Sequence, residues 1–178
     1  IVLDAFKKIL KVRPESLLIL VPRHLERFER VKGILQESKI PFVSRSMRED
    51  VSKDTKILLG DTIGELNFLY SLADVAFIGG SLIDHGGQNL LEPSAQSLAL
   101  LSGPSLRNFS DISEQLIQNN ALAVVHDAEE LCNRYLFLIE DESTCNAIGA
   151  KAYEVFMKNR GALDAILNKL KPLISNVI

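Results

Sequence analysis

The chain has 178 residues, 47% of them hydrophobic and 24% charged, with a formal net charge of −3. That length and balance suit one soluble globular domain with a sizeable core, and the slight acidity argues against general nucleic-acid binding, which needs a basic face. No apolar run approaches the roughly 20 residues of a membrane span, and Cys132 and Cys145 form neither a metal-ligand nor a redox pattern, which fits a reducing, cytosol-facing location. The first residue is Ile1, with no signal peptide before it, so the chain reads as a fragment of something larger.

In chain order, IVLDAFKKIL places Val2, Phe6, Ile9 and Leu10 on one helical face, and Pro14 stops that helix. SLLILV (16–21) is a short continuous apolar run, as expected of a strand buried on both faces. In HLERFERVKGILQESK (24–39), Leu25, Phe28, Val31 and Leu35 recur at helical spacing. PFVSRS (41–46) and KILLGD (56–61) read as strands separated by a polar loop, GELNFLYSLA (64–73) as a short helix and DVAFIGG (74–80) as a further strand. A long glycine-rich loop follows. NLLEPSAQS then opens a helix, LALLSG (98–103) is a strand, SDISEQLIQNN (110–120) a helix and ALAVVH (121–126) a strand. From about Asp127 the pattern is helical to the end, with a stripe of Leu163, Ile166, Leu167 and Leu170 and a bend or stop at Pro172. Strands alternating with helices predict one α/β domain: a doubly wound, mostly parallel sheet with helices on both faces.

In such folds ligands sit outside the carboxyl ends of the strands. Three polar clusters follow strands here. In VPRH, Arg23 is suited to a bidentate grip on phosphate or carboxylate and His24 can donate from the next helix start, but these residues alone favour Arg23 as a solvated charge and His24 as a helix-start residue. In GDTIGEL, Thr62 and Glu65 have the T-x-x-E spacing of a capping box, while Gly64, inside that first turn, costs helix stability and leaves room for a ligand to reach the backbone. In GGSLIDHGGQNLLEP, Gly79 and Gly80 leave the strand, Ser81 offers a hydroxyl, and Gly86 and Gly87 precede Gln88 and a helix starting near Asn89. Glycine amides beside a helix start make an anion site. Glu92 either complements the helix dipole or accepts the two hydroxyls of a ribose. A plain connection needs only a few residues, so this long glycine loop points to ligand binding. The three histidines form no zinc pattern, and the loop is neither a P-loop nor a G-x-G-x-x-G motif.

ILVPRHLERF, LLGDTIGELNFLYSLADVAFIGGSL and GGQNLLEPSA, followed by SGPSLRNFSDI, resemble the C-terminal half of the Kdo transferases, bacterial enzymes that attach 3-deoxy-D-manno-octulosonic acid (Kdo) to lipid A precursors. The family pattern is close to PRHPERF, GDTMGEL, FVGGSL, GGHNPLEPA and GPHTFNF, matched in order from about Leu17 to Ile112. The resemblance implies the C-terminal Rossmann-like domain of a GT-B glycosyltransferase, binding the donor CMP-Kdo through Arg23, His24, Asp61, Gly64, Glu65, Gly79, Gly80, Ser81, Asn89 and Glu92. It implies an inverting reaction with no divalent metal and no cofactor. It assigns the lipid A acceptor, the membrane-facing surface and the carboxylate base to an N-terminal domain outside this chain, and places the full enzyme at the cytoplasmic face of the inner membrane. The remaining alternatives are another GT-B transferase or nucleotide-sugar epimerase domain, and a non-catalytic Rossmann-like interaction module. Three departures stand out: Gln88 where the family has histidine, Gln96-Ser97-Leu98-Ala99 where it has a G-x-P turn, and Ser105-Leu106 where His and Thr are common.

Overall fold

A computed structural model of the chain describes the backbone of residues 1–175 and the side chains of residues 1–161. The elements in chain order are α1 (Val2–Val12), β1 (Leu18–Leu20), a 3₁₀ turn (Leu25–Arg27), α2 (Phe28–Ser38), β2 (Phe42–Ser44), β3 (Ile57–Leu59) and α3 (Leu66–Tyr70). They continue as β4 (Val75–Ile78), α4 (Leu91–Ser94), β5 (Ala99–Ser102), a second 3₁₀ turn (Arg107–Phe109), α5 (Ser110–Gln118), β6 (Leu122–Val124), α6 (Ala128–Glu140) and α7 (Glu142–Ser175). The expected apolar stripe Leu163–Leu170 and Pro172 lie outside the described side chains. The fold class is the α/β one expected: strands alternate with helices, and every pairing among the described strands is parallel.

The chain forms two compact units. The first comprises Ile1–Ala73 and Ala128–Leu136, the second Asp74–Asp127 and Phe137–Ile178. In the first, the strand order is β1-β3-β2. The central strand β3 reads Ile-Leu-Leu and is buried throughout, while β1 is only half-buried, so the burial on both faces expected of SLLILV is not found there. The parallel link from β2 to β3 is a loop of about a dozen residues, near the shortest that can carry the chain back to start a parallel strand. α1 buries Ala5, Phe6 and Ile9. In α2 the apolar stripe buries Leu35, but Leu25 falls in the 3₁₀ turn and is exposed.

In the second unit the order is β4-β5-β6, with β5 wholly buried at the centre. Ala76, Ile78, Leu100, Leu101, Leu116 and Leu122 build its core, and α7 packs on β5, α4 and α5, contributing Ala152 and Val155. A Cβ at Gly149 would stand 1.8 Å from the Ser97 carbonyl oxygen, so α7 lies directly on the turn that leads into β5. That turn lacks the family's G-x-P residues and is made instead with Ser97 in the left-handed region (φ 57°), its amide donating to the Ser94 carbonyl at 3.0 Å. Cys132 and Cys145 are free and buried, and burial raises both thiols above their ordinary range.

Candidate functional site

Parallel strands deliver their carboxyl ends to one edge. In the first unit that edge receives Val21–His24 after β1, Arg45 and Ser46 after β2, and Gly60–Glu65 after β3. Arg23 and His24 are exposed, with His24 the residue that opens the 3₁₀ turn. Asp61 is bound at both carboxylate oxygens. The Ser46 amide donates to Oδ1 at 2.8 Å, the Ser46 hydroxyl to Oδ2 at 2.6 Å, and the buried Ser44 hydroxyl also to Oδ2. Burial pushes this carboxyl up, but the hydroxyl donors of Ser44 and Ser46 and the backbone N–H groups outweigh it, and Asp61 ends below its ordinary range. Asp61 therefore ties the ends of β2 and β3 together.

Glu65 differs from the expected capping box. α3 begins at Leu66 and carries no side-chain cap. The Thr62 hydroxyl donates to Glu65 Oε2 at 2.5 Å instead of to a backbone amide, and Arg45 grips the same carboxylate twice, Nε to Oε2 at 3.1 Å and Nη2 to Oε1 at 2.7 Å. The Arg45 and Thr62 donors hold Glu65 down to about 2 and the pairing raises Arg45. Gly64 stands outside the helix at φ 84°, with nothing near the position of a Cβ, so its backbone is open and only its dihedral requires glycine.

In the second unit the corresponding edge carries the glycine loop after β4 and Gly103–Phe109 after β5. Two expectations are corrected here. The Ser81 hydroxyl is fully buried and faces inward, donating to the Ile78 carbonyl at 2.5 Å and accepting from the Gly103 amide at 2.7 Å, so it is not offered to a ligand. Gly86 and Gly87 are also buried, and their amides are used internally: Gly86 donates to Ser105 Oγ at 3.0 Å and Gly87 to the Gly80 carbonyl at 3.4 Å. A Cβ on Gly86 would strike the Asn108 amide at 2.5 Å, and one on Gly87 the Leu106 side chain at 2.8 Å. Asn108 Nδ2 also donates to the His85 carbonyl at 3.2 Å, and Arg107 pairs with Asp84. These glycines let the loop close on the segment 105–108. Ser105 and Leu106, together the third departure from the family pattern, are among its partners.

What remains open is Gly79, exposed with nothing at its Cβ position, and the half-exposed Gly80 at φ 74°. Asn89 and Glu92 come together: Asn89 Nδ2 donates to Glu92 Oε1 at 3.0 Å, while Asn89 Oδ1 accepts the Leu91 amide at 3.0 Å. The helix after the loop, α4, is a single turn rather than the longer element expected from Asn89 onward, so its dipole is small. Among the described residues no cluster of three or more His, Cys, Asp or Glu side chains is placed to hold a metal ion. Arg45, Ser44, Ser46 and Asn108 escaped the sequence reading because each acts through a partner well away in the chain; the first three were absorbed into the expected strand 41–46, whereas β2 ends at Ser44.

Two parallel sheets, each presenting polar loops at the carboxyl ends of its strands, define an α/β chain of the ligand-binding kind. The 3-deoxy-D-manno-octulosonic acid transferase of Haemophilus influenzae is 38% identical over 175 residues, covering 98% of this chain and 41% of that protein. The enzyme of the same name from Bordetella pertussis is 33% identical over 159 residues, 89% of this chain and 37% of its own length. A bifunctional glycosyltransferase/methyltransferase of Fusobacterium nucleatum is 31% identical, covering 99% of this chain and 27% of that protein. Among solved structures, the C-terminal CMP-Kdo binding domain of WaaA from Acinetobacter baumannii superposes with a TM-score of 0.82 at 33% identity, over 86% of this chain and 80% of that domain. No protein-family model matches the chain. The chain belongs to the Kdo transferase family, in the part represented by that C-terminal domain. It spans about two-fifths of the Haemophilus relative.

Proposed function

We propose that this chain is the donor-binding half of a glycosyltransferase, holding CMP-Kdo while the longer protein transfers Kdo, with inversion, to a lipid A precursor. The observation that carries the reading is its likeness to a solved domain described as CMP-Kdo binding. Arg23 binds the phosphate or the Kdo carboxylate through a planar fork, and His24 adds a donor beside it. The exposed backbone at Gly79 and Gly80 lets the donor approach closely. Glu92, oriented by Asn89, accepts the ribose hydroxyls. Asp61, Glu65 and Gly64 shape the edge from which Arg23 projects, and Ser81 holds the end of β4 in place. The acceptor lipid, the carboxylate base and the membrane-facing surface belong to the rest of the longer protein, at the cytoplasmic face of the inner membrane. No helix among the described residues is long and apolar enough to cross a membrane.

Titration of the labelled chain with CMP, followed by amide NMR, tests this. We expect shifts at Arg23, His24, Gly79, Gly80, Asn89 and Glu92, and weaker binding of UDP. Loss of the ribose acceptor in Glu92→Ala should weaken CMP by about tenfold, the scale of a hydrogen bond to a charged group. Shifts confined to α7, or a preference for UDP, would sink the reading.

A further inference from the structure

CMP-Kdo carries two anionic groups, the phosphate and the sugar carboxylate, and Arg23 can take only one of them. Arg45 is a second arginine at the same edge of the same sheet: β1 and β2 both run parallel to β3, so Arg23 and Arg45 leave it at their carboxyl ends. Its guanidinium is held from several sides. Glu65 receives Nε and Nη2, Thr62 fixes the Glu65 carboxylate, and the Phe68 ring lies 5.9 Å from the guanidinium carbon. The Arg45 side chain remains 42% exposed. A partly exposed ion pair contributes only modestly to stability, and the same contacts also fix where the free side of the fork points. A guanidinium has two edges that can each take an oxyanion in bidentate fashion, one through Nε and an Nη, the other through both Nη atoms. Glu65 occupies the first. Nη1 has no partner among the described residues, which leaves the second edge for another oxyanion.

We propose that Arg45 binds the second anion of the donor through this outer edge, and that Glu65 is its positioning residue rather than a donor contact. The inference rests on the donor-binding reading above. Calorimetric titration of the chain with cytidine, CMP and CMP-Kdo tests it. In Arg45→Ala, CMP-Kdo should bind at least about tenfold more weakly while cytidine is unchanged. A parallel loss for CMP assigns Arg45 to the phosphate; an unchanged CMP assigns it to the carboxylate. Arg45→Lys, which keeps the charge but loses the fork, should fall between Arg45→Ala and the unaltered chain. Glu65→Gln should lose less than Arg45→Ala, and the double variant no more than Arg45→Ala, because Glu65 acts through Arg45. CMP-Kdo bound by Arg45→Ala within twofold of the unaltered chain overturns this inference alone. So does an equal loss for cytidine. An unaltered chain that binds neither CMP nor CMP-Kdo overturns both this inference and the function it rests on.

Discussion

At the scale of single residues, a hydroxyl at a ligand edge can serve the fold instead of the ligand. Ser81 follows the glycine pair that leaves β4, where a polar side chain invites a binding role. Yet its Oγ bridges the Ile78 carbonyl and the Gly103 amide, both in the interior of the second unit. Ser81→Ala therefore removes both hydrogen bonds and leaves the buried Gly103 N–H without this partner, at a cost of roughly 1–3 kcal/mol. Urea denaturation should report that loss. A variant as stable as the unaltered chain but defective in CMP binding would return Ser81 to the ligand. The pair Gly86–Gly87 carries the same lesson. Their glycine identity is visible in the sequence, but its cause, Asn108 and Leu106 pressed against their backbone, lies about twenty residues further along and has no local trace.

At the scale of elements, the turn after β3 shows where local pattern gives way to tertiary contact. T-x-x-E spacing reads as a helix cap, but an arginine from the end of β2 takes the same carboxylate, because two charge-assisted bonds from a guanidinium outweigh a single bond from a backbone amide. The two carboxylates of this turn make acid stability a test of the arrangement. Both folded-state values lie below the ordinary ones, so their stabilising contribution is complete above the ordinary range and disappears as pH falls through the folded value. For Glu65 that window runs from 4.5 to about 2. Glu65→Gln should be less stable than the unaltered chain at pH 6, with the gap closing as pH falls from 4.5 toward about 2; Asp61→Asn should behave alike, its gap narrowing as pH falls below the ordinary aspartate value of 3.8. A gap that does not change with pH in urea titrations would mean that neither carboxylate is held as described. The helix after the glycine loop was misjudged in length for a related reason: Pro93 suits a first turn wherever it falls, but the chain turns back at Ser97, and α7 packs against that turn.

At the scale of the whole molecule, the alternation of strands and helices was legible because apolar runs of three or four residues between polar turns admit few other readings, and the central strands β3 and β5 are buried as those runs require. The division into two units was not legible: no change of composition marks it, and the chain passes between the units more than once, with Ala128–Leu136 belonging with the N-terminal residues. The Lys8–Glu129 ion pair between α1 and α6 is one of the contacts that bind this returning segment. The same scale decides whether the chain can act by itself. A general base works best when its pKa lies near the operating pH. Here Glu65 is held at about 2 by Arg45 and Thr62, and Asp61 lies below its ordinary range, so neither of these two carboxylates at the first unit's edge is poised to take a proton from an acceptor hydroxyl. The chain incubated with CMP-Kdo and a lipid A precursor should therefore bind the donor and transfer no Kdo, with CMP released only at the spontaneous rate; the relatives, more than twice as long, have room for a base elsewhere. Chromatography of the lipid product reads this directly. Kdo-bearing lipid formed by the chain alone, and abolished in His24→Ala, would place the base at the first unit's edge and refute the division of labour argued here.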